Sequence, residues 1–346
     1  MSKVVKKVLT GVSGISLLAG GAVAPVYAEV DSISEVVYSE ENAKEAGVYA
    51  QQVNVEGKFS FNQDEVMMAD DAFNLFGTVV TGLCAKPSFE LENSRASFYI
   101  NVGGDIKKAY TISLDELKEK EEQRTMLCAC ATGKATTNLK VTGVNLSDVL
   151  SLAEIDKSVN TITVKGSDGY GMPMPLSYVL DKKAMLVYKA NDQQLPSGTQ
   201  LWIPETVAKY FIRDVVDVIL STEDELPVIE GRDKELAAEV VIMNHVDRSH
   251  FALGDEITFE GYADDCGDAI TAIEFSMDGG KTWTTYETKG ATPERWVYWR
   301  FSVTPEAMGN YVLSVRAKTE SGAVSPLAAN VSFEVQNSQN AAKASL

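Results

Sequence analysis

The sequence predicts two domains, a mixed α+β domain followed by an all-β sandwich. Short helical patterns lie among strand-like runs between about residues 72 and 220, whereas strand-like runs alone recur after Pro227. The length of 346 residues suits about two domains of roughly 100–200 residues each. An acidic stretch, residues 224–236, contains Pro227 and Gly231 and is the predicted linker between them.

The N-terminus has the pattern of a secretion signal. Three lysines within the first seven residues form a basic start, an apolar run extends from Val8 to Ala24, and Val26-Tyr27-Ala28 fits a small-residue cleavage site. A membrane anchor is the alternative, but glycines and serines interrupt the run, which is too short and too weakly apolar to span a bilayer comfortably. We therefore expect residues 1–28 to be a signal peptide and the protein to be exported, either secreted or held at the cell surface, with no transmembrane segment after cleavage.

Charge limits the partners of the mature chain. Cleavage would remove three lysines and no acidic residue, which changes the formal net charge from −18 to −21. So acidic a surface argues against nucleic acid and against anionic lipid as partners. It favours solubility and does not indicate a fold.

The domain boundaries follow from shifts in composition. Residues 29–71 are acidic and weakly patterned, and we predict an N-terminal extension there. Residues 72–227 form the predicted α+β domain and residues 228–336 the predicted sandwich. The polar residues 337–346 are predicted to be a disordered tail.

Short helices among strands predict the α+β domain. Ser113-Leu114-Asp115-Glu116 has the form of a capping box, which opens a charged helix to about Gln123. Asn145 is the predicted N-cap of a second short helix. The runs that predict strands are Ala96–Val102, Thr125–Ala131, Thr161–Lys165, Ala184–Tyr188 and Gln200–Ile203.

Strands without helices predict the second domain. Asp278-Gly279-Gly280 is a hairpin-turn signal, and no helical period of convincing length follows Pro227. Short strands separated by turns are typical of a β-sandwich. The strand-like runs are Ala238–Met243, Glu256–Tyr262, Ala272–Met277, Trp296–Val303, Tyr311–Lys318 and Asn330–Val335.

The sequence excludes several common kinds of site. The chain has two histidines, His245 and His250, whose spacing on a strand puts them on opposite faces, so we expect surface histidines and not an imidazole metal site. Phosphate-binding glycine loops, the dinucleotide fingerprint and the serine-hydrolase elbow are all missing from the sequence.

The cysteines are the remaining candidates for chemistry. In an oxidising compartment one or two structural disulfides are the simplest expectation for Cys84, Cys128, Cys130 and Cys266. The Cys128-Ala129-Cys130 motif, however, ends a predicted strand and is followed closely by a glycine and a lysine. A nearby cation lowers the pKa of a thiol, and the thiolate binds soft metals. A buried thiol pair or a disulfide explains the motif equally well.

From Cys130 to Leu220 the chain resembles the sulfite oxidase family of molybdopterin-dependent oxidoreductases. Cys130-Ala131-Thr132-Gly133 is similar to the family's C-V-T-G-W, in which the cysteine thiolate binds molybdenum. Gly143–Leu150 is similar to G-V-P-L-S-D-L-L, at the same distance from the cysteine without a gap. The resemblance thus implies that Cys130, and not Cys128, is the metal ligand.

Further blocks extend the resemblance to residues 95–336. The tyrosine of the family's Y-G-A-S-I-P-L stands beside the metal, which implies a role for Tyr170 as proton donor, although a packed turn tyrosine is the alternative. The second domain resembles the family's immunoglobulin-like dimerisation domain, which implies a homodimer. The blocks are Asp168–Leu176, Leu186–Pro196, Ile273–Trp283 and Trp296–Arg300.

The resemblance also implies which cations hold the anionic groups of the cofactor. Lys134, Lys209 and Arg213 fall on or near the family's basic positions, and solvated surface charges are the alternative. The family's glycine-rich loop is missing after Pro204, where Glu205 adds an opposing charge.

Two hypotheses result. The first is an exported molybdenum-molybdopterin oxidoreductase that transfers an oxygen atom to or from a small-molecule substrate and passes electrons to an external acceptor. The second is a cofactor-free binding or structural protein on the same fold, with redox-active or disulfide-bonded cysteines. The basic start contains no arginine pair, which is typical of export in an unfolded state and favours the second.

Overall fold

The structure, a computed structural model, describes residues 50–66, 99–130, 136–195, 198–232, 234–244, 246 and 249–337. The predicted signal peptide, most of the predicted tail, Cys84, Lys134 and His245 lie outside these residues. None of the helices in the described residues has the length and apolar character that a membrane span requires.

Strands dominate the described residues. In chain order they are β1 (Lys58–Asn62), β2 (Tyr99–Gly104), β3 (Tyr110–Ser113), β4 (Glu122–Ala129), β5 (Thr136–Asn145), β6 (Thr161–Gly166), β7 (Gly171–Pro175), β8 (Met185–Ala190), β9 (Gln193–Gln194), β10 (Gln200–Trp202), β11 (Val215–Ser221), β12 (Glu239–Ile242), β13 (Ser249–Ala252), β14 (Ile257–Asp264), β15 (Ile270–Ser276), β16 (Thr284–Glu287), β17 (Val297–Val303), β18 (Gly309–Thr319) and β19 (Ala329–Gln336). Within the described residues the α-helices are short, α1 (Leu146–Val149) and α2 (Leu176–Asp181). The 3₁₀ helices are Leu114–Lys120, Leu150–Leu152, Ala208–Tyr210 and Lys234–Leu236.

Two sheets build the first domain. One has the order β3-β2-β11-β6-β7, and the other has the order β10-β8-β5-β4 with β9 paired to β8. The first hydrophobic core includes Trp202 and Phe211, whose rings are 4.9 Å apart between centroids. Burying one such side chain stabilises the fold by roughly 1.5–3 kcal/mol, so this core fixes how the two sheets sit relative to each other.

The predicted helix starts are confirmed, but the helices are short. Ser113 is an N-cap whose Oγ accepts a hydrogen bond from the amide of Asp115 at 3.2 Å. The predicted end near Gln123 is wrong, because this 3₁₀ helix ends at Lys120 and β4 begins at Glu122. Asn145 precedes α1 with an extended backbone, yet its side-chain amide donates to Glu122 Oε1 at 2.9 Å and makes no cap bond.

Gly143 permits the close pairing of β5 with β8. A Cβ atom added there would lie 2.1 Å from the carbonyl oxygen of Leu186. We expect Gly143→Ala to lower the free energy of unfolding by about 1–3 kcal/mol, because the strands must separate to admit the methyl group. Chemical denaturation measures the effect. Gly103→Ala is the matched control, since the nearest atom to its added Cβ is 3.9 Å away; equal losses for both variants would contradict the expectation.

The second domain has a core of its own between two sheets, β1-β17-β14-β12 and β13-β19-β18-β15-β16. Phe275 and Phe301 stack across it with centroids 4.0 Å apart. β1 comes from the segment predicted as an N-terminal extension, and it pairs with β17 along the edge of the first of these sheets. The immunoglobulin-like assignment and the exact domain boundaries stay predictions.

Polar contacts join the two domains at β4 and β5. The buried Asn138 of β5 donates from Nδ2 to the carbonyl of Gln63 at 2.8 Å, and its Oδ1 accepts from the amide of Trp296 at 2.9 Å. The amide of Leu127 in β4 donates to the carbonyl of Glu294 at 2.9 Å. These bonds bring the second domain against the strand that leads into the Cys-Ala-Cys motif.

Candidate active site

The two cysteines of the motif have different surroundings. Cys128 lies within β4 and is 1% exposed, whereas Cys130 directly follows the strand and is half-buried. Both are thiols, as is the buried Cys266 of the second domain. A disulfide joining any two of these three is therefore not formed in the structure, and a disulfide to Cys84 lies outside the described residues.

Burial keeps two of these thiols neutral. Burial raises the pKa of Cys128, and the nearby Cys266 and Cys130 raise it further. Burial likewise raises the pKa of Cys266 to about 12, against the opposing effect of Arg232. Because the thiolate is the form that binds metals, Cys128 is a poor ligand, and the more accessible Cys130 is the better candidate.

Next to the motif lies a buried arginine that the sequence analysis did not select. The side chain of Arg232, from the predicted linker, is 2% exposed, and its Nη2 lies 2.7 Å from Asp264 Oδ2. The same nitrogen donates to Thr136 Oγ1 at 3.1 Å, and Thr136 lies opposite Ala129 in the β4–β5 pair. Local sequence gives no sign of this role, because Arg232 stands in an acidic segment that predicts solvated charges.

Tyr170, Lys209 and Arg213 lie close together, and their roles toward a cofactor stay predictions. The Tyr170 hydroxyl donates to the carbonyl of Lys209 at 3.1 Å, and its amide donates to Asp168 Oδ1 at 2.9 Å. Asp168 Oδ2 is 3.9 Å from a guanidinium nitrogen of Arg213, which is 8% exposed. The ammonium of Lys209 pairs with Glu230, whose hydrogen bond raises the pKa of this lysine. Two of the three predicted phosphate-binding cations thus face carboxylates.

The linker connects this group to the cysteine motif. The amide of Glu230 donates to the Tyr210 hydroxyl at 2.9 Å, beside Lys209. Two residues later Arg232 contacts Thr136, near the end of β4 where Cys130 lies. The linker thus contacts both the segment that contains Lys209 and the strand pair that ends beside Cys130. The third predicted cation, Lys134, lies outside the described residues.

The residues at the end of β4 fit a molybdenum-pterin group. Cys130 supplies a soft thiol ligand at the edge of the buried region. The Nε atom of Arg232 is buried without a hydrogen-bond partner, so one donor is left for an anionic or oxo ligand. No group of three or more His, Cys, Asp or Glu side chains in the described residues is arranged to hold a metal by itself. These residues therefore suit a metal that is carried by a cofactor and bound to the protein through one thiol.

A cleft of about 910 Å³ opens between the domains. Arg124 and Glu205 of the first domain and Arg295 of the second line it. Arg295 pairs with Asp64 Oδ1 at 2.6 Å, so the wall carries both acidic and basic groups. Glu205 also raises the pKa of Cys266, which places this end of the cleft near the buried thiols. The cleft is large enough for a small molecule.

Comparisons with known proteins point to one enzyme class. Residues 87–225 match the family model described as oxidoreductase molybdopterin binding domain. Mitochondrial sulfite oxidase of Mus musculus is 24% identical over 244 residues, which are 55% of this chain and 44% of that protein. The chain therefore spans less than half the length of this curated relative.

A solved structure shares the fold. The sulfane dehydrogenase SoxCD of Paracoccus pantotrophus superposes with a TM-score of 0.54 at 20% sequence identity, over 67% of this chain and 69% of that chain. At this identity the likeness establishes the architecture, and the chemistry has to be argued from the residues.

Proposed function

We propose that this chain, a sulfite oxidase-like protein whose residues 87–225 form an oxidoreductase molybdopterin-binding domain, is an exported oxidoreductase with molybdenum held by Cys130. The molybdopterin-binding domain and the likeness to sulfite oxidase indicate a molybdenum-molybdopterin cofactor. The observation that carries the ligand assignment is the half-buried thiol of Cys130 at the end of β4, beside a second cysteine that is 1% exposed.

The chain's own residues have distinct proposed roles. When bound, the cofactor supplies two-electron oxygen-atom transfer to or from a small substrate, with electrons passing to an external acceptor. Cys130 holds the metal, and Lys134, Lys209 and Arg213 hold anionic groups. Tyr170 holds a proton on its hydroxyl, which the bond to the Lys209 carbonyl keeps in a fixed direction.

The second candidate function is a cofactor-free binding or structural protein. Its support is the pairing of Lys209 with Glu230 and the approach of Asp168 to Arg213, since both reduce the positive charge available to a phosphate. In either case we propose an extracytoplasmic location from the N-terminal pattern. We also propose a homodimer through an immunoglobulin-like second domain, from the resemblance of that domain.

Cofactor analysis of protein from its native host tests the proposal. We expect the exported chain to contain molybdenum and pterin in amounts equimolar with protein, and its mature form to begin at Glu29. The matched control is the same chain from a host strain that cannot synthesise molybdopterin, which should lack both. Folded, exported protein from the normal strain without molybdenum and pterin would exclude the enzyme and support the cofactor-free alternative.

A further inference from the structure

A buried group of charges lies where the linker meets both domains. The side chains of Arg232 and Asp264 are 2% and 1% exposed, and that of Glu239 is 24% exposed. Arg232 approaches Asp264 Oδ2 at 2.7 Å and Glu239 Oε2 at 3.8 Å. Two carboxylates from the second domain therefore face one guanidinium, which also holds Thr136 of the first domain.

Hydrogen bonding in this group is incomplete. Glu239 Oε2 and Asp264 Oδ1 are buried without hydrogen-bond partners, and so is the Nε atom of Arg232. A buried carboxylate oxygen without a donor is costly, and a second negative charge beside the first raises that cost. A proton on one carboxyl group removes the excess charge and leaves a neutral pair of one cation and one anion.

Glu239 is better suited than Asp264 to carry this proton. Asp264 has the shorter contact with the guanidinium, whereas Glu239 lies farther from it. The charged and titratable groups that act on Glu239 are Asp264, Arg232 and Tyr262. Asp265 lies beside them, because its Oδ1 accepts from the amide of Ala238 at 2.6 Å. Burial raises the pKa of Asp264 as well, against the opposing effect of Arg232. Burial and the nearby Asp264 raise the pKa of Glu239 and Arg232 opposes them, which together give a pKa of about 7.

We propose that Glu239 binds a proton at the junction of the two domains, and that loss of this proton loosens the contact between Arg232 and Thr136. Without the proton, two carboxylates compete for one guanidinium, and Arg232 is drawn away from the first domain. Arg232 also has the Nε donor that fits a cofactor anion, so the variant that tests the proposal is made at Glu239, which the proposed function does not use. The proposed proton gives a domain junction that is tightest in mildly acidic surroundings and weakens as they become alkaline.

The direction of the pH effect follows from proton linkage. The pKa of Glu239 is higher in the folded protein than its ordinary value of 4.5, so the folded state binds more protons between these values. The stabilisation is fully present below pH 4.5 and is lost as the pH rises through about 7. One unit of pKa difference changes an equilibrium tenfold, so we expect the folding equilibrium to weaken by about tenfold or more over this range.

Thermal unfolding of the full chain from about pH 5 to about pH 9 tests the proposal. Glu239→Gln keeps the shape of the side chain without its charge, so we expect a weaker pH dependence and a higher midpoint than wild type at alkaline pH. Glu260→Gln is the control, because Glu260 lies on the neighbouring strand β14 and pairs with Arg300 at 3.0 Å near the surface. It should keep the wild-type pH dependence.

Two measurements on wild type keep the test decisive if the variant folds poorly. The infrared carbonyl band of a protonated carboxyl group should disappear as the pH rises through about 7. Burial also raises the pKa of Asp265, to about 6, so the band near 7 should persist in an Asp265→Asn variant. Amide exchange of β5 around Thr136, corrected for the intrinsic effect of pH, should accelerate over the same range. A Glu239→Gln variant with the wild-type pH dependence, or wild-type protein without a titrating carboxyl band, would overturn the proposal.

Discussion

A Cys130→Ala variant is expected to fold normally and to lose its molybdenum completely. Cys130 follows the last residue of β4 and is half-buried, so its truncation removes little core packing. If its thiolate is the protein's bond to the metal, alanine supplies no replacement. Metal analysis gives the loading, and the thermal midpoint shows whether the fold is intact.

Cys128→Ala is the matched control for this experiment. Cys128 is 1% exposed and burial raises its pKa, so it serves as a small buried apolar residue. We expect this variant to keep its molybdenum, with a free energy of unfolding lower by about 1 kcal/mol. Loss of the metal from Cys128→Ala but not from Cys130→Ala would reverse the ligand assignment.

An Arg232→Leu variant is expected to lower the free energy of unfolding by about 3–5 kcal/mol. The change removes the cation from Asp264, which is 1% exposed, and leaves a buried carboxyl group without a counter-charge. It also breaks the hydrogen bond to Thr136, so one of the contacts between the linker and the first domain is lost as well. Urea denaturation measures the loss.

Two further variants separate this buried pair from a surface charge. Arg300→Leu removes an arginine whose side chain is 59% exposed, and we expect a change of at most about 1 kcal/mol. Asp264→Asn combined with Arg232→Leu removes both charges and should recover part of the stability. If Arg232→Leu and Arg300→Leu have equal effects, the buried pair does not stabilise the junction.

Short sequence patterns predicted the helices and strands better than they predicted the residues of the candidate active site. The strand Thr161–Lys165 is β6, and Asn145 lies at the start of α1, because β-branched residues and a cap act through near neighbours. The predicted helix end near Gln123 was wrong because Glu122 and Gln123 favour helices when only their near neighbours are considered. In the structure both residues belong to β4 and pair with β5, with Glu122 opposite Gly143.

Contacts between distant residues explain what the sequence did not reveal at the site. Arg232 is buried because Asp264 and Thr136 come to it from two different domains, at positions that no local motif marks. The sequence likewise does not reveal the pairing of Lys209 with Glu230, because no local motif marks the two positions. The resemblance selected Tyr170, Lys209 and Arg213, which the structure brings close together, and their roles stay predictions.

The pairing of β1 with β17 determines when the second domain can fold. Lys58 is paired in register with Ser302, so β1 has to wait for a strand that is made much later in synthesis. Loop closure over so long a segment is slow, and the exposed edge of β17's sheet stays unprotected until then. The first domain lies between these strands in the sequence and is complete by Ser221. A chain that emerges gradually will therefore fold its first domain before β1 and β17 can pair.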